Sequence, residues 1–185
     1  MSKLYFRYGT VSSAKTLNLL AVAHNYRRQG KRALILAPAI DTRHGAGRVE
    51  SRAGLGADAD AVISEPGDVY ALDVEGVSCI LVDEVQFMDP SVIDVLRDIA
   101  TNTGIPVICY GLRTDFRSNL FPGAARLMAV ADSIEEIKTT CRWCNRKAIG
   151  NARLVPGDDV VQLGGHDDYA AACWQHFRAV SRIGR

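Results

Sequence analysis

Three short, almost wholly apolar runs constrain this chain most: residues 32–37 (RALILA), 78–82 (SCILV) and 106–110 (PVICY). Apolar side chains at successive positions mark strands buried on both faces, the signature of a parallel sheet. Between these runs lie segments with helical periodicity. Residues 15–29 place Leu19, Leu20, Ala23 and Tyr26 at helical spacing, with Gly30 where a C-terminal cap glycine belongs. Residues 90–100 do the same with Val92, Ile93, Leu96 and Ile99, behind Asp89 as N-cap and Pro90 at the first helical position. With a first strand at residues 3–8 (KLYFRY), the pattern predicts an α/β fold, a doubly wound parallel sheet with flanking helices on right-handed crossovers. Ligands of such sheets bind beyond the carboxyl ends of the strands, and Asp41, Asp83 and Gly111 fall just past such ends.

A chain of 185 residues with 48% apolar and 23% charged residues buries an adequate core and is too apolar for disorder. The formal net charge of +1, from 22 basic and 21 acidic residues, gives no overall field toward nucleic acid or an anionic membrane. No apolar stretch approaches the roughly 20 residues that span a bilayer. The N-terminus enters directly into a strand-like run, so a cytoplasmic protein is expected. Five cysteines argue against a disulfide framework, and Cys79 and Cys109, inside apolar runs, read as buried inert thiols. From Thr139 onward the pattern changes to short polar segments, which divides the chain into residues 1–138 and a smaller unit of residues 139–185.

The segment Gly9-Thr10-Val11-Ser12-Ser13-Ala14-Lys15-Thr16 follows strand 3–8 and opens the first helix. It has Walker A spacing, with Ala14 in place of the second glycine. Such a loop turns backbone N–H groups toward phosphate oxygens, sets a lysine on the β/γ-phosphates and a hydroxyl on Mg²⁺, and stands before a helix N-terminus. Taken alone, the imperfect motif leaves a solvated loop lysine about as plausible. The run Cys79-Ile80-Leu81-Val82-Asp83-Glu84 shifts the balance, because an acid beyond a buried strand can hold Mg²⁺ while its neighbour orients or deprotonates a nucleophile.

Cys141-x-x-Cys144 and Cys173-x-x-His176 make two short knuckles. Four soft or borderline ligands suit tetrahedral Zn²⁺, and a full protein set leaves no open position, so the site is expected to be structural.

In this order and spacing the segments resemble the type II thymidine kinase family over nearly the whole chain. Asp83-Glu84-Val85-Gln86-Phe87 looks like its DExQF segment. Cys109-Tyr110-Gly111-Leu112-Arg113-Thr114-Asp115-Phe116-Arg117, with Phe121, looks like its thymidine-pocket segment. Leu163-Gly164-Gly165 and Tyr169 resemble the substrate-enclosing lasso, and Asp41-Thr42-Arg43 the arginine-bearing loop. The resemblance implies transfer of the ATP γ-phosphoryl group to the 5′-hydroxyl of thymidine. Glu84 is then the general base and Arg43 the cation on the transition state. Asp83 and Thr16 serve Mg²⁺, and Gln86 belongs with the ATP and Mg²⁺ residues. It further implies that Phe87, Phe116, Phe121 and Tyr169 wall the base pocket, that Leu112 and Val11 face the thymine methyl, and that backbone near Gln162 and Gly164 bonds the pyrimidine edge. Asn151 stands where the family has a small hydroxyl residue near that methyl. The zinc unit would tie down both ends of the lasso, so loss of Cys144 is expected to weaken thymidine binding more than ATP binding. A homotetramer inhibited by dTTP is the family expectation. Three rivals stand beside this reading: a P-loop ATPase acting on nucleic acid, which needs a basic track that the charge balance does not suggest; a non-catalytic nucleotide or nucleoside binder, made credible by Ala14; and a zinc-ribbon interaction module, which explains only the last quarter of the chain.

Overall fold

The three apolar runs lie side by side. In the computed structural model, which describes residues 2–43, 45, 47–155 and 168–183, the chain runs β1 (Leu4–Tyr8), α1 (Lys15–Arg28), β2 (Arg32–Pro38), β3 (Arg48–Glu50), β4 (Gly56–Asp58), β5 (Ala61–Ile63), α2 (Pro66–Tyr70) and β6 (Val77–Val82). After a 3₁₀ turn at Val85–Phe87 come α3 (Pro90–Asn102), β7 (Val107–Gly111), α4 (Pro122–Val130), β8 (Ser133–Glu136), β9 (Gly150–Arg153), β10 (Tyr169–Ala172) and α5 (Trp174–Ile183). Six strands form one sheet in the order β5-β2-β6-β7-β1-β8. All its pairings are parallel.

The period of two along each strand sorts side chains to the two faces. Leu34 and Leu36 of β2 and Ile80 and Val82 of β6 pack with Val92, Ile93 and Leu96 of α3 and with Ala124 and Leu127 of α4. Ile35 and Ala37 of β2 and Cys79 and Leu81 of β6 face the other way, against Leu19 and Ala23 of α1. Burying a side chain such as Ile93 or Leu96 completely contributes about 1.5–3 kcal/mol, and both are fully buried. Both interior thiols are fully buried as expected. Burial pushes Cys79 up to about 11 and Cys109 higher still.

The helix termini follow their sequence signals. Gly30 takes a φ of 71° and donates its N–H to Arg27 O at 3.0 Å, closing α1. Asp89 accepts the Ser91 N–H at 2.8 Å ahead of α3. Gly111 ends β7 within the strand, one residue further in than the sequence suggests. The edge strands β5 and β8 are only three and four residues long, too short to stand out in the sequence, and each pairs on one side only. Beyond Thr139, β9 and β10 pair antiparallel and α5 packs on them through Phe177. No helix among the described residues is long and apolar enough to cross a membrane.

Candidate active site

The phosphate loop leaves β1 at the carboxyl edge of the sheet, where the Gly9 N–H donates to Gly111 O at 3.2 Å. A Cβ on Gly9 would lie 2.6 Å from Ile137 O, so only glycine fits this turn. Ser12 and Ala14 both take positive φ, 61° and 62°. Ala14 therefore occupies the left-handed region that the missing glycine would take without cost, and an alanine pays about 1–2 kcal/mol for it. The loop forms with alanine all the same, and Ala14 O accepts the first helical bond from Asn18 N at 2.9 Å.

Lys15 is buried, and its Nζ donates to Thr10 O at 2.8 Å. Burial lowers its pKa, opposed by Glu84 and Asp83 and reinforced by Arg52 and Arg43. The hydroxyls of Thr10 and Ser13 are buried without a hydrogen-bond partner. Donors held this way suit phosphate oxygens, so the loop fits a nucleotide triphosphate.

Asp83 and Glu84 follow β6, at the same edge. The Thr16 hydroxyl donates to Asp83 Oδ2 at 3.1 Å, bringing the loop threonine and the strand-end acid into one place. Burial, then the adjacent Glu84 charge, pushes Asp83 up to about 7. A carboxyl and a hydroxyl so paired are a hard oxygen site suited to Mg²⁺. Glu84 itself stands at φ 45°, a strained backbone that turns its side chain toward the loop after β2. There Arg43 donates to Glu84 Oε1 at 2.8 Å and grips Asp41 through Nε at 2.8 Å and Nη2 at 2.6 Å. Burial opposes ionisation of Glu84, but Arg43, then Lys15 and Gln86, outweigh it and hold the carboxylate below the usual range. The hydrogen bond to Asp41 and the Glu84 charge keep Arg43 protonated against its burial.

Gln86, assigned in the sequence to the nucleotide and metal group, bridges elsewhere. Its buried amide donates to Glu84 Oε2 and accepts the Leu112 N–H at 2.9 Å, tying the carboxylate to the end of β7. Asn151 is likewise committed to the protein. It is buried on β9, accepts the Val11 N–H at 2.8 Å and donates to Thr114 O at 3.1 Å. It thus joins the phosphate loop, the C-terminal hairpin and the loop after β7.

The aromatic residues fall into two groups. Phe87 and Phe121 meet edge to face at 6.0 Å, and Phe121 is buried at the start of α4. Phe116 lies between the guanidinium groups of Arg117, at 5.1 Å, and Arg153, at 4.8 Å. Tyr169 begins β10 opposite Arg153 in the register. Buried Asp115 accepts from Arg117 N and Asn119 N, both at 2.8 Å, and closes the loop that carries Phe116. Leu112 is half-buried against the core beneath. Gln162 and Gly164 lie outside the described residues.

Three further residues lie against these groups without a role legible in the sequence: Arg52 on Ser12, Asp115 inside the loop that carries Phe116, and Arg153 over the Phe116 ring.

Cys141, Cys144, Cys173 and His176 converge, their ligand atoms all within 4.8 Å of one another. On a tetrahedral zinc, with bonds of about 2.3 Å to sulfur and about 2.0–2.1 Å to nitrogen, ligands stand about 3.8 Å (S···S) and about 3.5 Å (S···N) apart. Here Cys144 and Cys173 sulfurs are 3.8 Å apart, and His176 Nδ1 lies 3.4 Å from Cys141 Sγ and 3.3 Å from Cys173 Sγ. The four residues fit that metal. Backbone bonds from Arg142 N to Ala171 O and from Ile149 N to Ala172 O, at 2.9 and 2.8 Å, stitch the first knuckle to β10.

The sequence model of the thymidine kinase family matches residues 2–177. Thymidine kinases from Ruegeria pomeroyi and from Streptococcus pyogenes are each 40% identical, covering 96% of this chain and 94% and 97% of their own lengths. One from Streptococcus gordonii is 41% identical, with 96% of both chains covered. Matched over nearly its whole length by that family model and by these relatives, the chain belongs to the thymidine kinase family.

Proposed function

We propose that this protein transfers the γ-phosphoryl group of ATP to the 5′-hydroxyl of thymidine, yielding dTMP and ADP. The observation that carries this reading is the pairing of two unlike carboxyls. Asp83 sits against Thr16 of the phosphate loop, and Glu84, the next residue, is held ionised between Arg43 and Gln86. Lys15 and the loop N–H groups hold the β- and γ-phosphates. Thr16 and Asp83 would hold Mg²⁺, which supplies charge neutralisation between phosphate oxygens. Glu84 aligns the 5′-hydroxyl and takes its proton as the new P–O bond forms and the bond to ADP breaks. A base held at low pKa suffices here, because phosphoryl transfer through a loose transition state asks for alignment and charge stabilisation more than for a strong base. Arg43 touches Glu84 directly, so it sets the carboxylate in place and lends positive charge as the phosphoryl group moves.

The pyrimidine is read between the Phe87–Phe121 pair and the Phe116 and Tyr169 side, in a pocket whose narrowness excludes purines. Zinc on the Cys₃His cluster would cross-link the ends of residues 139–185 and so fix the hairpin that carries Asn151 and Tyr169. Assembly as a homotetramer, inhibition by dTTP and a cytoplasmic location belong to the same reading. Incubation of the purified protein with Mg-ATP and radiolabelled thymidine is expected to give dTMP and ADP in equal amounts, and deoxycytidine to give no product. Stable binding of both ligands without any dTMP would instead favour the non-catalytic reading that Ala14 raises.

A further inference from the structure

The β3–β4 hairpin is built to present one side chain. Its register pairs Arg48 with Asp58, Val49 with Ala57 and Glu50 with Gly56. Val49 is buried in the core layer beneath α1, which anchors the arm on the sheet. At the tip, the Ser51 N–H donates to Leu55 O at 2.7 Å, the buried Ser51 hydroxyl also bonds Leu55 O at 3.0 Å, and Gly54 turns the chain at a φ of 79°. Five residues are closed on themselves in this way. The arginine within them, Arg52, extends over the phosphate loop and donates Nη1 to Ser12 Oγ at 2.5 Å. Ser12 lies at the crest of that loop, between Gly9 and Lys15, in a strained left-handed conformation of its own.

We infer that Arg52 is a donor-side phosphate-binding residue, delivered by the β3–β4 hairpin to the β/γ end of the nucleotide, opposite Arg43 on the acceptor side. This rests on the kinase reading above. The two arginines come from different elements and hold different partners. Arg43 engages Asp41 and Glu84, the second of which is the base on the acceptor hydroxyl in that reading. Arg52 engages the loop whose lysine reaches the β/γ-phosphates, and its charge is among those that lower the Lys15 pKa. Asp83 and Glu84 already oppose the Lys15 charge from the acceptor side, whereas Arg52 adds a cation at the loop itself, where an anion against Lys15 gains from both. The arrangement therefore favours a polyphosphate over a neutral ligand. A guanidinium also presents a planar fork whose geometry matches two phosphate oxygens.

The test compares wild type with Arg52→Ala, Arg52→Lys and Arg48→Ala, the last a control for damage to the hairpin. Calorimetry with Mg-AMPPNP and, separately, with thymidine reads each Kd, and steady-state assays read KM for ATP. Arg52→Ala is expected to weaken AMPPNP and raise KM for ATP at least tenfold while leaving thymidine affinity within twofold. Arg52→Lys is expected to recover part of the loss, and Arg48→Ala to bind AMPPNP within threefold of wild type. An unchanged AMPPNP affinity in Arg52→Ala, an equal loss of thymidine and nucleotide, or an equal loss in Arg48→Ala would each overturn the inference while leaving the kinase reading intact. Wild-type protein that binds neither AMPPNP nor thymidine would overturn both.

Discussion

The sheet and the C-terminal hairpin unit are held together by different physics. On the sheet, two layers of apolar side chains run from β2 through β6 and β7, with Phe6, Ile35, Leu36, Ile80, Leu81, Ile93 and Leu96 all fully buried. Beyond Thr139, the buried cluster among the described residues is Ala152, Ala172 and Phe177, with Val180 packed against it. Even with Ala148, Ala170 and Ala171 buried beside it, this cluster among the described residues is a small core against the conformational entropy of ordering the segment. A metal cross-link can offset that cost, because metal affinity becomes folding free energy where the ligands converge only in the folded state. Among the described residues the sheet carries a large apolar core of its own, and we propose that the unit to which Asn151 and Tyr169 belong draws on a metal cross-link.

The largest expected effect follows from that contrast. Purified protein is expected to carry one zinc per chain, and Cys141→Ala or exhaustive chelation to release residues 139–185 from the sheet while the sheet stays folded. Thymidine affinity then falls more than about 100-fold, in line with the large share of folding energy that such sites supply. Metal analysis of unchelated protein without zinc, or a chelated protein with undiminished thymidine affinity, breaks the comparison. The sequence reading expects thymidine binding to weaken more than ATP binding, and the bond from Val11 N to Asn151 gives a reason for ATP binding to weaken at all, since the phosphate loop itself leans on β9. Nucleotide affinity should therefore fall too, though less.

Next in size is Glu84→Gln, which keeps the shape and one of the two contacts, since its single amide oxygen can accept from Arg43 or from Gln86 but not from both, and which cannot take a proton. The expected loss in kcat is about 10²–10⁴-fold, with KM values within a few-fold. Wild-type turnover in this variant removes Glu84 from the chemistry. Asn151→Ala comes third. It leaves the Val11 N–H and Thr114 O without their partner in a buried place, at a cost of about 1–3 kcal/mol, and it is expected to weaken thymidine and ATP together. Loss of thymidine affinity alone would show that the two regions meet at the base and not at the loop.

Asp83 offers a pH test of the sheet side. Its folded pKa is raised, so between the unfolded value near 3.8 and the folded value of about 7 the unfolded chain gives up a proton that the folded chain keeps. Its contribution is undiminished below the lower value and falls as pH rises through the upper one. In metal-free protein, Asp83→Asn is therefore expected to be more stable than wild type at pH 8 by more than about 1 kcal/mol, a gain that shrinks toward pH 4. Denaturant unfolding at both pH values measures it, and a gain equal at both ends would assign the effect to packing.

The smallest effect belongs to Ala14→Gly. Ala14 already holds the left-handed geometry, so glycine relieves strain but adds freedom to the unfolded chain, and the net gain should be at most about 1 kcal/mol. That corresponds to a rise in Tm of about 2–4 °C or less. A fall in Tm would show that alanine is the better residue in this loop.

Much of this protein is legible in a single sequence because its chemistry is local. A strand buried on both faces shows as a continuous apolar run. A helix shows its caps in Asp89 and Gly30, a phosphate loop its lysine and threonine in succession, and a metal knuckle two ligands three residues apart. The edge strands β5 and β8 and the β3–β4 hairpin carry no such mark, since three or four residues paired on one side have no period to display. What the tertiary structure alone decided is which distant residues meet: Asn151 with Val11 and Thr114, Gln86 between Glu84 and Leu112, Arg52 over Ser12. These contacts join residues brought together only by the strand order and the crossovers. A buried amide or an arginine at a hairpin tip looks the same in sequence whatever it will touch, because its partner is fixed by the path of the chain and not by its neighbours in it.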